Sequence, residues 1–398
     1  MLAEAALALA AAARTPATGA YRIGRDIVYV GVDAEPPDRP SIEFYDTATR
    51  RLGTLDHLVG DEYKTDDSPR MTFVLSSPRP AVLEKPFVIT DGNGHLGASL
   101  WYARGARRYP TVVLIQGADD STRRMGFLIP FFVAHGLNVV TYDQRGTGDS
   151  TGSWRFASPQ SKAIDTVALL QHVQSDPAVD RHRIGAWAAS NGGWVAPIIA
   201  TRFPLAFMIL KSAPSGTIAD NVLYEIEQVL REGSRFSPQQ VSDAMAFERR
   251  MFDALQTDSN WGAAAQAFKA AQTQPWFSQM RMPPGMTVPP SAPMLAAMQA
   301  ALIYDPTPIL QQVRTPTLAI FGARDRNVDA AASAVGFRRA FARAGMTDLT
   351  IVTIPEADHL LVRSATGYED DALLPVRFAG AYPEVMIGWL TARGFCCC

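Results

Sequence analysis

Cysteine is nearly absent from this sequence. The chain of 398 residues has only three cysteines, and they are adjacent at its end: Cys396, Cys397 and Cys398. Adjacent thiols at one terminus cannot staple a core, and their spacing matches no zinc site. Neither a disulfide framework nor a metal centre is therefore expected.

Long apolar runs and an excess charge of one sign are also missing. No run reaches the roughly 18 apolar residues that a membrane span requires. The net charge of −2 offers no basic surface for nucleic acid or for an anionic membrane. A hydrophobic content of 47% and a charged content of 19% are those of an ordinary globular protein. The composition thus argues against nucleic-acid binding and membrane insertion.

The first residues are rich in alanine. Leu2–Ala13 has the composition of a signal-peptide core, but it contains Glu4 and no basic residue precedes it. We interpret residues 1–20 as an Ala-rich N-terminal segment, which favours a cytoplasmic protein. A periplasmic or secreted location is the alternative if Leu2–Ala13 is the remnant of a signal peptide.

Residues 21–86 are predicted to form a small β-rich extension. Short β segments at Ile27–Val30, Ser41–Tyr45 and Met71–Leu75 are separated by turns that contain Asp, Pro and Gly. The stretch is too short for a propeller, and its residues do not indicate a function.

From about residue 87 the pattern changes to alternating strands and helices. Such alternation predicts a mostly parallel, doubly wound α/β sheet with helices on both faces, here formed by residues 87–215 and 307–398. The predicted strands are Ser99–Ala103, Thr111–Gln116, Asn138–Tyr142, Arg183–Trp187, Phe207–Lys211, Thr317–Phe321 and Leu349–Ile354, with helices such as Gln160–Gln174 and Val328–Ala344 between them.

Residues 216–306 interrupt this alternation where a single helix would suffice. Helical periodicity covers Ile218–Leu230 and Val241–Leu255, and a segment rich in Met, Trp and Pro follows. We interpret the insertion as a helical cap over an active site. Flexible methionines suit an adaptable apolar pocket, although simple packing of the cap is the alternative for most of them.

The most informative motif is a strand that leads into a sharp turn and a helix, Trp194–Ala200. The turn carries Ser190, with Ala188 two residues before it and Gly192 two residues after it. Small residues are required there because the strand and helix backbones nearly touch. The pattern is a nucleophile elbow with Ala in place of its first Gly, and it predicts nucleophilic attack by serine.

A serine nucleophile needs a base and an acid that orients the base. In the elbow class the chain order is Ser, then Asp or Glu, then His, and His359 is the only histidine after Ser190. Asp325 follows a predicted buried strand and is the expected acid. Asp329, expected inside a helix, and Asp358 are the alternatives.

An oxyanion requires backbone N–H donors. One is expected from Asn191, directly after the nucleophile, and another from Gly117 or Ala118 in the loop after the strand Thr111–Gln116. Two acidic residues, Asp119 and Asp120, follow in this loop. We expect them to point outward or to bind Arg123 or Arg124.

With these motifs in place, the chain resembles the α/β-hydrolase superfamily. Asp143–Gly152 resembles the D-x-R-G-x-G-x-S loop of those enzymes, and the elbow, Asp325 and His359 complete a pattern over residues 87 to 394. Bacterial serine carboxylesterases with a β-rich N-terminal extension and a helical cap are the most similar group. The resemblance implies a serine esterase without a cofactor, in which Asp143 and Arg145 shape the site.

Two departures from the family leave substrate preference open. Many relatives have Gly-His-Ser at the elbow where this chain has Ala188-Ala189-Ser190. The common His-Gly of the oxyanion loop is replaced by Gln116-Gly117.

The sequence therefore predicts an enzyme that cleaves a small-molecule carboxylic ester through a Ser-His-Asp triad and an acyl-enzyme. A serine peptidase and an acyl thioesterase or acyltransferase of the same fold are the alternatives. A non-catalytic relative that binds a ligand in the cavity is the alternative from another class.

Overall fold

The chain folds around two β-sheets. The computed structural model describes residues 16–34, 41–58, 60–67, 69–91, 94–105, 107–280, 282, 285–368 and 372–396. Leu2–Ala13, Cys397 and Cys398 lie outside the described residues, so the interpretation of the N-terminal segment stays a prediction.

The first sheet is a six-stranded antiparallel meander in which spatial order follows chain order. It contains the three β segments expected in the extension and three further strands. Its strands are β1 (Gly19–Ile23), β2 (Asp26–Asp33), β3 (Ser41–Asp46), β4 (Arg51–His57), β5 (Glu62–Thr65) and β6 (Thr72–Val74).

Alternation along the strands gives this first sheet two buried faces. Val28 and Val30 on β2 and Phe44 on β3 pack within the extension. Tyr29 and Tyr45 alternate with them and pack into the core of the second sheet. The Tyr45 ring centroid is 5.3 Å from that of Phe127, so the extension covers one face of the second sheet.

The second sheet has eight strands in the order β14-β13-β12-β11-β9-β10-β8-β7. β9 to β14 are parallel, whereas β7 and β8 pair antiparallel at one edge. The predicted α/β fold is confirmed. The strands are β7 (Val82–Asp91), β8 (Gly94–Ala103), β9 (Tyr109–Ile115), β10 (Asn138–Tyr142), β11 (Val179–Ala189), β12 (Met208–Lys211), β13 (Thr317–Gly322) and β14 (Leu349–Ile354).

β7 crosses the predicted domain boundary at residue 86, because it pairs with β8 along its whole length. The division of the chain into domains stays a prediction.

Helices cover both faces of this sheet. On β9, Val113 and Ile115 face one apolar cluster, whereas Val112 and Leu114 face another on the opposite side. The helices are α1 (Leu128–Ala134), α2 (Pro159–Val173), α3 (Gly192–Ala200), α4 (Ile218–Arg231), α5 (Pro238–Thr257), α6 (Trp261–Ala271), α7 (Ala292–Leu302), α8 (Thr307–Leu310), α9 (Ala330–Arg343) and α10 (Tyr382–Ala392).

Residues 216–306, called the helical insertion below, carry α4 to α7 between β12 and β13. The insertion has an apolar core of its own that includes Leu230, Met245 and Trp276. It contacts the loop after β13 through the Tyr224 hydroxyl, which donates to the carbonyl oxygen of Asp325 at 2.9 Å. The insertion is thereby anchored beside the residue expected to be the acid.

Candidate active site

Ser190 lies directly after β11, in a strained backbone conformation. Its φ of +49° is in the left-handed region, where residues other than glycine are uncommon. The Ser190 N–H donates to the carbonyl oxygen of Lys211 at 2.9 Å, and α3 begins two residues later. The turn therefore holds Ser190 at the carboxyl end of the sheet.

The small residue at position 192 is required by a neighbouring strand. A Cβ atom on Gly192 would lie 2.8 Å from the carbonyl oxygen of Ile115 and 2.9 Å from that of Gln116. The expected crowding was between the strand and the helix that flank Ser190. The structure instead shows that the end of β9 presses against the first residue of α3, because β9 pairs with β11.

His359 and Asp325 are in direct contact. The His359 Nδ1 lies 2.9 Å from Oδ2 and 3.1 Å from Oδ1 of Asp325, and both residues are buried. The N–H groups of Asn327 and Val328 each donate to Asp325 Oδ1 at 2.8 Å. These donors fix the carboxylate so that it faces the imidazole.

The two alternative acids are engaged elsewhere. Asp329 caps α9, where its Oδ1 accepts from the Ala332 N–H at 2.9 Å. Asp329 had been expected inside a helix, but it lies at the N-cap position, directly before the first residue of α9. Asp358 accepts from the Val362 N–H at 3.0 Å, and burial raises the pKa of its carboxyl. Asp325 is thus the carboxylate that faces His359.

Ser190, Asp325 and His359 follow β11, β13 and β14, respectively. These strands belong to the parallel part of the sheet, and the carboxyl ends of parallel strands share one edge, where ligands of α/β proteins bind. The fold brings the three predicted residues to this edge.

The loop after β9 lies beside Ser190. A Cβ atom on Gly117 would be 3.4 Å from the Ser190 Cβ. Within the part of the chain that the structure describes, neither the Asn191 amide nor the Ala118 amide donates to a protein acceptor. Both amides therefore remain candidate donors for an oxyanion.

Asp119 and Asp120 were expected to point outward or to bind Arg123 or Arg124, and for Asp119 the second alternative was wrong. The Asp119 Oδ1 accepts from Ser121 and, at 2.9 Å, from Gln144 Nε2. Arg123 instead pairs with Asp143 and Asp149, and Arg124 pairs with Glu84. The short Asp119 side chain reaches its own turn and the adjacent loop more readily than either arginine.

The Asp143–Gly152 loop is held by its own polar contacts. The Asp143 carboxylate accepts from the backbone N–H groups of Arg123 and Asp149 at 2.7 and 2.9 Å. Arg145 makes two hydrogen bonds of 2.6 and 2.8 Å to Asp165 on α2. These contacts fix the loop next to the Gly117 segment.

Sequence reasoning missed Lys162 on α2. Its Nζ donates to the side-chain oxygen of Asn191 at 3.3 Å, and burial lowers the pKa of its ammonium to about 8. The signal was helical spacing, because Lys162 stands four residues before the buried Thr166 and seven before the buried Leu169. A lysine on the same helix face as these buried residues indicates that its ammonium has a partner inside the protein.

The described ranges contain no group of three or more His, Cys, Asp or Glu side chains arranged to hold a metal ion. Over the same ranges, no helix combines the length and the apolar character that a membrane crossing demands.

The chain was compared with curated proteins, with solved structures and with family models. Curated relatives include an uncharacterized 31.7 kDa protein in the traX-finO intergenic region of Escherichia coli, which is 27% identical over 111 residues. That match covers 26% of this chain and 38% of the relative, so the chain matches well under half the length of this curated relative.

Similar solved structures include an esterase of Pyrococcus furiosus, at 14% identity and a TM-score of 0.46, with 78% of this chain and 91% of that chain covered. Dipeptidyl peptidase 4 of Porphyromonas gingivalis is 14% identical with a TM-score of 0.46, over 95% of this chain and 49% of that chain. The family model described as serine aminopeptidase, S33, matches residues 107–364, which are more than half of the chain. The chain therefore belongs to this family of serine hydrolases with the α/β-hydrolase fold.

Proposed function

We propose that this protein hydrolyses carboxylic esters of small molecules, with Ser190 as nucleophile, His359 as base and Asp325 as the acid that orients the base. The observation that carries the proposal is the buried contact of 2.9 Å between His359 Nδ1 and Asp325 Oδ2. A carboxylate in this position holds the imidazole in the tautomer whose Nε2 can accept the serine proton. The strained Ser190 at the same sheet edge supports the same assignment.

In the proposed reaction the Ser190 Oγ attacks the acyl carbon while His359 accepts its proton. His359 then passes this proton to the leaving alcohol, and an acyl-enzyme on Ser190 results. Water attacks the acyl-enzyme with His359 again as base, which releases the acid and restores the serine. The amides of Asn191 and of Ala118 or Gly117 stabilise the oxyanion in both steps. None of these steps requires a cofactor.

In this proposal the helical insertion is the cap that encloses the substrate. Tyr224 supports this, because it joins α4 to the backbone of Asp325. The Tyr368 hydroxyl, which donates to the carbonyl oxygen of Gln228 at 3.0 Å, adds a second attachment. A cap fastened beside the acid would exclude water from the acyl site.

The decisive experiment is turnover of p-nitrophenyl butyrate by the Ser190→Ala variant, together with labelling by a fluorophosphonate probe. We expect a rate loss on the order of 10⁶, because the triad acts as a unit, and loss of the label. The matched control is Ser175→Ala, which removes an exposed serine hydroxyl two residues after the end of α2. Near-normal turnover by Ser190→Ala would exclude the assignment, whereas a wild-type protein that is neither labelled nor active would favour the binding-protein alternative.

A serine peptidase is the second candidate. The description of the family, serine aminopeptidase, favours it. A cavity of about 190 Å³ beside Gly117 also supports it, since three carboxylates, Asp33, Glu43 and Asp119, line this cavity together with Arg124. An exopeptidase needs carboxylates to hold the amine of its substrate. Parallel assays with aminoacyl p-nitroanilides, p-nitrophenyl esters and acyl thioesters separate peptidase, esterase and thioesterase activities.

A further inference from the structure

A second, larger cavity lies between the helical insertion and the loop before α2. Its volume is about 470 Å³, within the roughly 300–1,000 Å³ of typical ligand pockets. None of the six candidate site residues described above lines it. Its wall is mostly aromatic rings and methionine side chains, among them Trp154, Phe252, Trp261, Met251, Met286 and Met298.

One ionisable side chain, Glu248, projects from α5 into this apolar wall. Glu248 is 3% exposed, and its Oε1 is buried without a hydrogen-bond partner. Across the described residues, no hydrogen bond or ion pair to the Glu248 side chain is formed by any other group. Burial raises the pKa of the Glu248 carboxyl to about 8.

The position of Glu248 is unusual for a helix of this kind. Glu248 lies on the buried stripe of α5, between Ala244 and Met251 and seven residues before Leu255. Apolar residues occupy the rest of this stripe, and a buried carboxyl without a partner destabilises the fold. A ligand that supplied the missing partner would remove that destabilisation.

The surroundings of Glu248 suit a cation that carries apolar groups. Aromatic faces attract ammonium groups, and methionines adapt to ligands of varied shape. Of the residues that the structure describes, the charged side chains that line the cavity are Glu248, Glu225 from α4 and Arg155 from the loop before α2. The Arg155 guanidinium lies over the Trp154 ring at 5.0 Å, and among the described lining residues the two carboxylates outnumber this one cation.

We propose that this cavity binds an organic cation, an ammonium group on an apolar body, with Glu248 as its counter-ion. The cation is either the charged part of a substrate or a separate ligand. Cation binding does not require ester hydrolysis, because none of the residues assigned to that chemistry lines the cavity.

The test is calorimetric titration of the full-length protein at neutral pH with phenylbutylammonium and with phenylbutanol, its neutral analogue. We expect the ammonium to bind at least about tenfold more tightly than the alcohol, because charge-assisted contacts are the stronger ones. We expect Glu248→Gln to abolish this preference. Glu227→Gln is the matched control, since Glu227 lies on α4 outside the cavity and pairs with Arg231.

Proton release supplies a second readout. Binding of the ammonium ionises Glu248, so the heat of binding differs between phosphate and Tris buffers in wild type and not in Glu248→Gln. Glu248→Met fills the space without an acid and must behave like Glu248→Gln. Equal affinity for ammonium and alcohol, absence of binding, or full binding by both Glu248 variants would overturn the proposal.

The two sources of the cation are separated by kinetics. If it belongs to the substrate, Glu248→Gln raises KM for p-nitrophenyl aminobutyrate and leaves KM for p-nitrophenyl butyrate unchanged. If it is a separate ligand, phenylbutylammonium changes turnover of the neutral ester without competing with it. Should the protein cleave no ester, the calorimetric result still decides the cation site.

Discussion

The Ser212 hydroxyl donates a hydrogen bond of 2.8 Å to the carbonyl oxygen of His359. The preceding residue, Lys211, accepts from the Ser190 N–H at 2.9 Å. The carboxyl end of β12 thus joins the backbones of the candidate nucleophile and the candidate base. Because β12 lies between β11 and β13 in the sheet, the relative position of Ser190 and His359 is set by strand pairing.

Replacement of Asp325 by Asn is expected to reduce kcat by a factor on the order of 10⁴, because an amide stabilises the wrong imidazole tautomer. The control is Asp329→Asn, which removes a neighbouring carboxylate but preserves a helix cap, since Asn and Asp cap almost equally well. Steady-state kinetics on p-nitrophenyl butyrate compare the two variants. Similar activities would show that Asp325 does not orient the base.

Gly192→Ala is expected to lower the free energy of unfolding by about 1–3 kcal/mol, because the added methyl overlaps two backbone oxygens at the end of β9. Activity should fall as well, since the displaced turn carries Ser190. Gly262→Ala is the control, because a Cβ there meets no atom within 4 Å. The same substitution in α6 should stabilise the protein by several tenths of a kcal/mol. Denaturant unfolding measures both, and an unaffected Gly192→Ala protein would contradict the crowding argument.

Lys162 is expected to give activity an alkaline limb. Its ammonium has a pKa of about 8, lowered by burial, and therefore loses its positive charge near Asn191 as the pH rises through that value. We expect kcat/KM of wild type to decline above about pH 8. Lys162→Met should show a lower plateau without this decline, whereas Lys269→Met, at an exposed position, should match wild type. An alkaline limb that persists in Lys162→Met would assign the titration to another group.

Glu248 is expected to make wild-type stability fall with rising pH. Its pKa is raised from 4.5 to about 8 in the folded protein, so between these values the unfolded chain releases a proton that the folded protein retains. The stability from the neutral carboxyl is complete below pH 4.5 and lost by about pH 8. Over this window Glu248→Gln should gain on the order of 4 kcal/mol relative to wild type.

Chemical unfolding at a series of pH values measures that gain. Glu227→Gln is again the control and should follow wild type. Parallel stability profiles for wild type and Glu248→Gln would mean that the carboxyl is solvated in the folded protein.

Much of the architecture could be read from local patterns. Apolar runs and helical periodicity located the strands that became β8 to β14 and the first two helices of the insertion, α4 and α5, because these signals depend on neighbouring residues. The helices α6 and α7 were not predicted. The elbow motif and chain order singled out Ser190, Asp325 and His359, and the structure brings Asp325 and His359 into contact. Their catalytic roles stay proposals.

Other features depended on which distant segments meet. The contact of Asp119 with Gln144 and the crowding of Gly192 by β9 join segments that are distant along the chain, and no local pattern indicates either of them. Lys162 was missed because its contact with Asn191 requires α2 to pack beside the elbow. From the sequence, Glu248 is a charged residue among the apolar residues of one helix face. Its lack of a partner among the described residues depends on how the helices pack.

The sequence by itself indicated the α/β fold, most strands of the second sheet and a serine elbow, because periodicity, turn residues and the elbow motif are local properties of the chain. The tertiary structure decided which carboxylate faces His359, which strand crowds Gly192 and which buried acid has no partner among the described residues. Those outcomes follow from the pairing order of the sheet and the packing of the helical insertion, where contacts join residues that no local pattern connects.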